Sequence, residues 1–266
     1  MEREIARISA EEIMAAVNAT DAPWWLRRVI RASVHVPSRR LGRLLTRFDT
    51  DIGRVGIGAA ARHFMRSMGA HVEVEGSAPT GAALVVMNHP GAYDALALMA
   101  ALARDDVRFL ARDRRFLRTL PHLSSRMIFV GPSGLRAALR HLAHAGVVVQ
   151  LGAGAIEPDA RFDAGDLAEW PEGTGFLASR APRVVPAFVA GVHSPRAKRL
   201  PLVKWAESRG ITTIGPLIQA TMPGFRDVRV TLRFGAPLDG DALRDATHAE
   251  RTQRVRDAVR ALAPRR

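Results

Sequence analysis

Apolar and polar positions follow different rhythms on either side of Gly69. Before it, apolar residues recur at helical spacing among charged ones. Ser9 and Glu12 have the spacing of a capping box ahead of Ile13, Met14 and Val17, which predicts a short opening helix. From Pro23 to Met68, Trp24, Trp25, Leu26, Val29 and Ile30 are interleaved with Arg27, Arg28, Arg31, Arg39, Arg40, Arg43 and Arg47. This stretch reads as amphipathic, basic and helical, with a break expected near Pro37. After Gly69 the rhythm shifts to period two at 71–75 and then to a short apolar run at 83–87, bounded by turn residues. Further strands are expected at 107–111, 127–130, 147–151, 184–189 and 228–234. Helices are expected at 93–103 and 135–145, with a last one from about Asp241 to Leu262 whose basic end suits the helix dipole. Short apolar strands alternating with helices predict an α/β fold, a largely parallel mixed sheet flanked by helices with an N-terminal helical segment. The chain accordingly divides into an amphipathic helical segment, 1–68, and an α/β domain, 69–266.

Composition narrows the chemistry. A chain of 266 residues, 47% hydrophobic and 24% charged, can bury one large core. It has no cysteine, which excludes a disulfide scaffold, a thiolate metal site, an iron–sulfur cluster and a cysteine nucleophile. No signal peptide is visible at the N-terminus, and the longest uncharged stretch, 76–93, is interrupted by Pro79, Asn88, His89 and Pro90. A soluble or membrane-surface protein is expected. The net charge of +13 comes from 39 basic residues, of which only Lys198 and Lys204 are lysines. Arginine in such excess reads either as a solvated basic surface or as a phosphate-facing one. Trp24 and Trp25 beside arginines fit a helix lying at a bilayer interface, and equally a helical layer with its indoles in the core.

The chemistry concentrates in Asn88-His89-Pro90-Gly91-Ala92-Tyr93-Asp94, directly after an expected buried strand and at the start of a helix. Pro90 and Gly91 bend the chain, so His89 can meet Asp94 in the first helical turn. Asp94 would then fix the tautomer of His89 and stabilise the imidazolium formed when His89 takes a proton. The plainer alternative is that His89 ends a strand and Asp94 caps a helix. No Gly-x-Ser-x-Gly elbow accompanies the pair, which disfavours a covalent acyl-enzyme and leaves the substrate to supply the attacking hydroxyl.

Residues 88–94 resemble the signature His-x4-Asp motif of the lysophospholipid and glycerolipid acyltransferase family, asparagine included. The likeness runs from about His71 to Pro237. Residues 109–121 are similar to the family's second block and place Arg112 at its phosphate-associated basic position, with Arg115 nearby. The third block usually reads Phe-Pro-Glu-Gly-Thr-Arg after a buried strand. Pro171-Glu172-Gly173-Thr174 matches by letter, but no strand precedes it and it lies close to Val184-Val185-Pro186, the expected fourth block. Residues 147–159 have the strand and the distance. On that alignment Gly154 is the retained glycine, Glu157 the nearest acid, and the usual glutamate and arginine become Ala153 and Ile156, which counts against a phosphate-bearing glycerol acceptor.

The resemblance implies O-acyl transfer from an acyl thioester, acyl-CoA or acyl carrier protein, to a hydroxyl of a lysophospholipid or related lipid alcohol. His89 would be general base and Asp94 its orienting partner. Arg112, Arg115, Gly154 and Glu157 would contact substrate, and backbone amides after Leu151 would contribute to an oxyanion site. No metal and no redox cofactor is implied. The partners are the thioester donor, the lipid acceptor and an anionic membrane surface, for a cytoplasmic protein peripheral at the inner face of the cell membrane. Nucleic acid is not expected, given one tyrosine, 6% aromatic residues and no reading motif. Two other readings stay open: a thioester or ester hydrolase in which His89 activates water, and a non-catalytic basic protein of the membrane surface.

Weaker signals are set against these. Gly152-Ala-Gly154 is half of a dinucleotide fingerprint, without its third glycine and with Pro158 where the helix should run. His141 and His144 share a helix face but have no third ligand nearby and read as a surface pair. Residues 193–200 read as a basic loop at the membrane or at the mouth of the site, or more simply as an exposed loop, and 210–225 as ordinary core or the lining of an acyl tunnel.

Overall fold

The computed structural model describes residues 2–16, 24–91, 93–212, 214–238, 243 and 245–264, apart from the side chains of residues 9, 12–16, 25–27 and 29–34. Seven strands form one sheet: β1 (His71–Glu75), β2 (Ala83–Met87), β3 (Val107–Ala111), β4 (Met127–Phe129), β5 (Val147–Leu151), β6 (Val184–Ala190) and β7 (Arg229–Phe234). Their order is β1-β7-β6-β2-β5-β3-β4, and every pair is parallel except β6 with β7. The expected α/β architecture is therefore present, and the strands begin and end within a residue or so of their expected bounds.

Central strands β2, β5 and β6 are nearly continuous apolar runs because both of their faces are covered. One face presents Val85, Val149, Val185 and Val189 to α2 (Trp24–Ser67) and α3 (Asp94–Leu102). The other presents Leu84, Val86, Val148 and Phe188 to α6 (Pro132–Ala143), α7 (Gly173–Ala178) and α11 (His248–Arg260). Phe48, Ile52, Ile57 and Met65 of α2 lie in the same core cluster as the sheet residues. The division at residue 68 thus separates helix from strand without separating two cores.

Four helix details depart from expectation. Helix α1 spans Glu2–Ala16, so Ser9 lies in its interior and does not cap it. It crosses α2 at Gly42, where a Cβ would stand 2.8 Å from the carbonyl oxygen of Glu2. Helix α2 runs through Pro37, and its non-helical residue is Gly56, at φ 78° and ψ 163°. Its positive φ favours glycine, which makes Gly56 the cheaper place to turn. The last described helix starts at His248, after a capping box between Thr247 and Glu250, whereas Asp241 lies outside the described residues. Trp24 is 70% exposed, and the side chains of Trp25, Leu26, Val29 and Ile30 lie outside the described ones. No described helix is long and apolar enough to cross a membrane.

Candidate active site

The site forms where β2 and β5 end together beside β6, which runs three residues further. Register alone brings these strands into line, since Met87 pairs with both Leu151, the last residue of β5, and Ala187 of β6. Chains leaving the carboxyl ends of parallel strands then face one another across a crevice.

Asn88 closes the first turn beyond β2. Its Nδ2 donates to the Val189 carbonyl at 2.9 Å, and its Oδ1 accepts from the Val189 amide at 2.8 Å. A fully buried side-chain amide thus continues the β2–β6 ladder after the strands separate, and it fixes where the next residue begins. That residue is His89. Its Nδ1 donates to Asp94 Oδ2 at 2.6 Å. Asp94 is 2% exposed, at the first position of α3, and also accepts from the amides of Gly91, at 2.9 Å, and Ala95. Gly91 has φ +127°, which lets the chain fold back so that Asp94 reaches the imidazole. With Nδ1–H committed, Nε2 keeps its lone pair for a proton. Burial lowers the His89 pKa, but the Asp94 hydrogen bond and the charges of Asp94 and Glu157 outweigh it, so the imidazole is held above its ordinary 6.5.

Glu157 clamps the same histidine from β5's side. Its amide donates to the His89 carbonyl at 2.8 Å, and its Oε2 accepts from the His89 amide at 2.9 Å. Its Oε1 accepts from the Ala168 amide and from Trp170 Nε1, each at 3.0 Å. The indole packs over Gly152, where a Cβ would stand 2.3 Å from the ring. Glu157 lines the cavity described below, yet both its oxygens are engaged in holding the backbone around His89. The amides of Gly152 and Gly154 are likewise used, by the carbonyls of Met87 and Leu151.

Arg112 is exposed at the end of β3, with Nη2 4.0 Å from where a Cβ on Gly154 would stand. Arg115 is exposed on α4 (Arg115–Arg118) and lies 3.8 Å from Glu11 of α1. Arg118 pairs with Asp113 at 2.9 Å and stacks on Phe129. None of the three lines the cavity. His141 and His144 turn to separate backbone carbonyls, those of Asp106 and Arg140. Among the described residues no group of three or more candidate ligands could hold a metal ion. Thr174, from the competing match to the third block, is buried beneath β5, where its hydroxyl accepts from Gln150.

The cavity, of about 620 Å³, opens beside Pro90 and Gly91, the two residues after His89. Its apolar wall comes from Leu41, Leu45 and Phe64 of α2, Leu96 of α3, and Pro216, Leu217 and Ala220 of α10 (Ile214–Thr221). Segment 210–225 therefore lines a cavity. Residues 193–199 are not a simple exposed loop but contribute to the cavity wall, the alternative the sequence left open. His193 donates from Nε2 to the Pro90 carbonyl at 3.0 Å, Ser194 is buried and caps α8 (Pro195–Arg199), and Lys198 reaches into the cavity wall. Lys198 bonds Asp163 at 2.8 Å and Glu207, the last residue of α9 (Pro201–Glu207), at 2.9 Å. Burial lowers its pKa, but those two hydrogen bonds and charges more than compensate, so its ammonium is held above the ordinary 10.5. Sequence reasoning missed this triad and the α2 leucines. Only the rarity of lysine, two residues in an arginine-rich chain, hinted at it.

No family model and no curated protein matches the chain. Among solved structures it is similar to the 1-acyl-sn-glycerophosphate (LPA) acyltransferase PlsC from Thermotoga maritima. The identity is 16%, the match covers 85% of this chain and 99% of that one, and the TM-score is 0.49.

Proposed function

We propose that this protein is an acyltransferase that moves a fatty acyl group from an acyl thioester to a hydroxyl of a lipid alcohol. The observation that carries the reading is the 2.6 Å His89–Asp94 pair, set at the end of a buried parallel strand beside an apolar cavity of about 620 Å³. The cavity has the size and lining of a site for a ligand with a long apolar part. The histidine has an orienting acid, and the sequence holds no Gly-x-Ser-x-Gly elbow to supply a serine nucleophile, so in this reading the attacking oxygen belongs to a substrate.

In this mechanism Nε2 of His89 takes the acceptor hydroxyl proton as the oxygen attacks the thioester carbonyl. Asp94 holds Nδ1–H and stabilises the imidazolium. Collapse of the tetrahedral intermediate breaks the carbon–sulfur bond, forms the ester, and returns the proton from His89 to the departing thiolate. Glu157 keeps the His89 backbone in place. The donor is acyl-CoA or an acyl carrier protein. Arg112, exposed at the end of β3 beside Gly154, is assigned the contact with a substrate phosphate, and Gly154 leaves the backbone open beside it. Exposed Trp24 and the arginines of α2 suit attachment to an anionic membrane surface.

The test is incubation with a labelled long-chain acyl-CoA and a panel of lipid alcohols, with products read by mass for the native chain and for His89→Ala. Acylated lipid that disappears with the variant is the expected result. Free thiol and fatty acid without acylated lipid, still dependent on His89, would replace acyl transfer by hydrolysis.

A further inference from the structure

The cavity's polar end carries information about the acceptor's head group. Among the described residues lining the cavity there is one cation, Lys198, and no arginine. Lys198 is already shared between Asp163 and Glu207. The carboxylates facing this end outnumber its cations, in a chain whose net charge is +13.

A phosphomonoester carries about −1.5 to −2 charges at neutral pH. Entering here, it would give up water to meet carboxylates, and its one cationic partner among the described lysines and arginines would be an ammonium that two acids already hold. Desolvating such an anion without a dedicated partner is strongly unfavourable. A head with hydroxyl or ammonium hydrogens meets the opposite situation, because carboxylate oxygens accept from either. A second observation points the same way. Tyr93 lines the cavity at 2% exposure, and its hydroxyl sits beside the Gln219 amide with no acceptor for its own proton among the described residues. Burial pushes its pKa up to about 12, against smaller opposing effects of the adjacent Gln219 and Arg226, so it stays a neutral phenol that can donate to or accept from an uncharged group.

We infer that the acceptor is a lipid alcohol whose head carries hydrogen-bond donors and no phosphate, received by Asp163 and Glu207. This rests on the acyl-transfer reading. Asp163 and Glu207 are then specificity residues, and Arg112 is left to the thioester donor.

The experiment compares kcat/KM for acceptors of one acyl-chain length with three heads: a monoacylglycerol, a long-chain amino alcohol and a 1-acylglycerol 3-phosphate. The expected result is ester formation from one or both phosphate-free acceptors at least about tenfold faster than from the phosphate. That factor is worth roughly 1.4 kcal/mol of discrimination. Glu207→Gln, or Asp163→Asn should the first variant fold poorly, narrows the gap. Equal or faster acylation of the phosphate acceptor overturns the head-group assignment and leaves acyl transfer standing. His89-dependent thiol release with no ester from any acceptor overturns both. The native chain's ranking decides the matter even if neither variant folds.

Discussion

Replacing Glu157 by glutamine separates its two effects on His89, because the side chain keeps its shape and loses its charge. The carboxylate is 3% exposed and accepts three hydrogen bonds, one from the His89 amide on Oε2 and two, from Ala168 and Trp170, on Oε1. Glutamine has one acceptor oxygen. Its least costly orientation keeps that oxygen toward the two donors and turns its NH2 against the His89 amide, donor facing donor. One orphaned buried donor costs about 1–3 kcal/mol. For a chain of this size that corresponds to a fall in Tm of roughly 2–12 °C. The lost charge acts on the ring as well. Glu157 raises the His89 pKa, so its removal lets that pKa fall, and the rising limb of kcat/KM against pH moves to lower pH. The plateau falls too, because His89 loses its backbone anchor. Thermal melts at neutral pH and a pH–rate profile test both effects. A Tm within about 1 °C of the native value together with an unmoved limb would refute the assignment of Glu157 as the anchor of the base.

Asp94→Asn removes the acceptor that fixes the His89 tautomer, and kcat is expected to fall by at least about 100-fold with little change in KM. In the native chain His89 must lose a proton to act, so kcat/KM rises with pH through a midpoint above 6.5, and in Asp94→Asn that midpoint moves down. Gly152→Ala places a Cβ against the Trp170 ring at 2.3 Å, and a loss of about 1–3 kcal/mol in chemical denaturation is expected from such overpacking.

The sheet was legible because its strands are short apolar runs between turn residues, and residues 147–151 and 184–189 have no competing helical period. His89 and Asp94 were legible for a local reason: five positions and a glycine turn connect them. The remainder of the site depends on distance along the chain. Glu157 reaches His89 across 68 positions and Asn88 reaches Val189 across 101, pairings set by strand order and invisible to spacing. Leu41 and Leu45 lay inside a segment read as amphipathic, but only the packing of α2 against α3 and α10 shows that this face of the helix closes a cavity. The Ser9 cap failed for a different reason. A capping box is a weak local preference, and Ile5 and Ile8, both buried, extend the helix well before it.

The arginine excess misleads if it is read as a property of the site. Arg39, Arg43, Arg47, Arg112, Arg114 and Arg115 are exposed, while the cavity beside the base holds a single lysine between two acids. Surface charge and pocket charge have opposite signs, so they respond differently to salt. Exposed charges are screened over about 8–10 Å at physiological ionic strength, and a half-buried ion cluster much less. Raising salt is therefore expected to release the protein from anionic vesicles in a sedimentation assay while leaving the ranking of soluble short-chain acceptors unchanged. If salt reorders the acceptors as strongly as it weakens vesicle binding, the exposed arginines and not the Asp163–Lys198–Glu207 cluster select the head group.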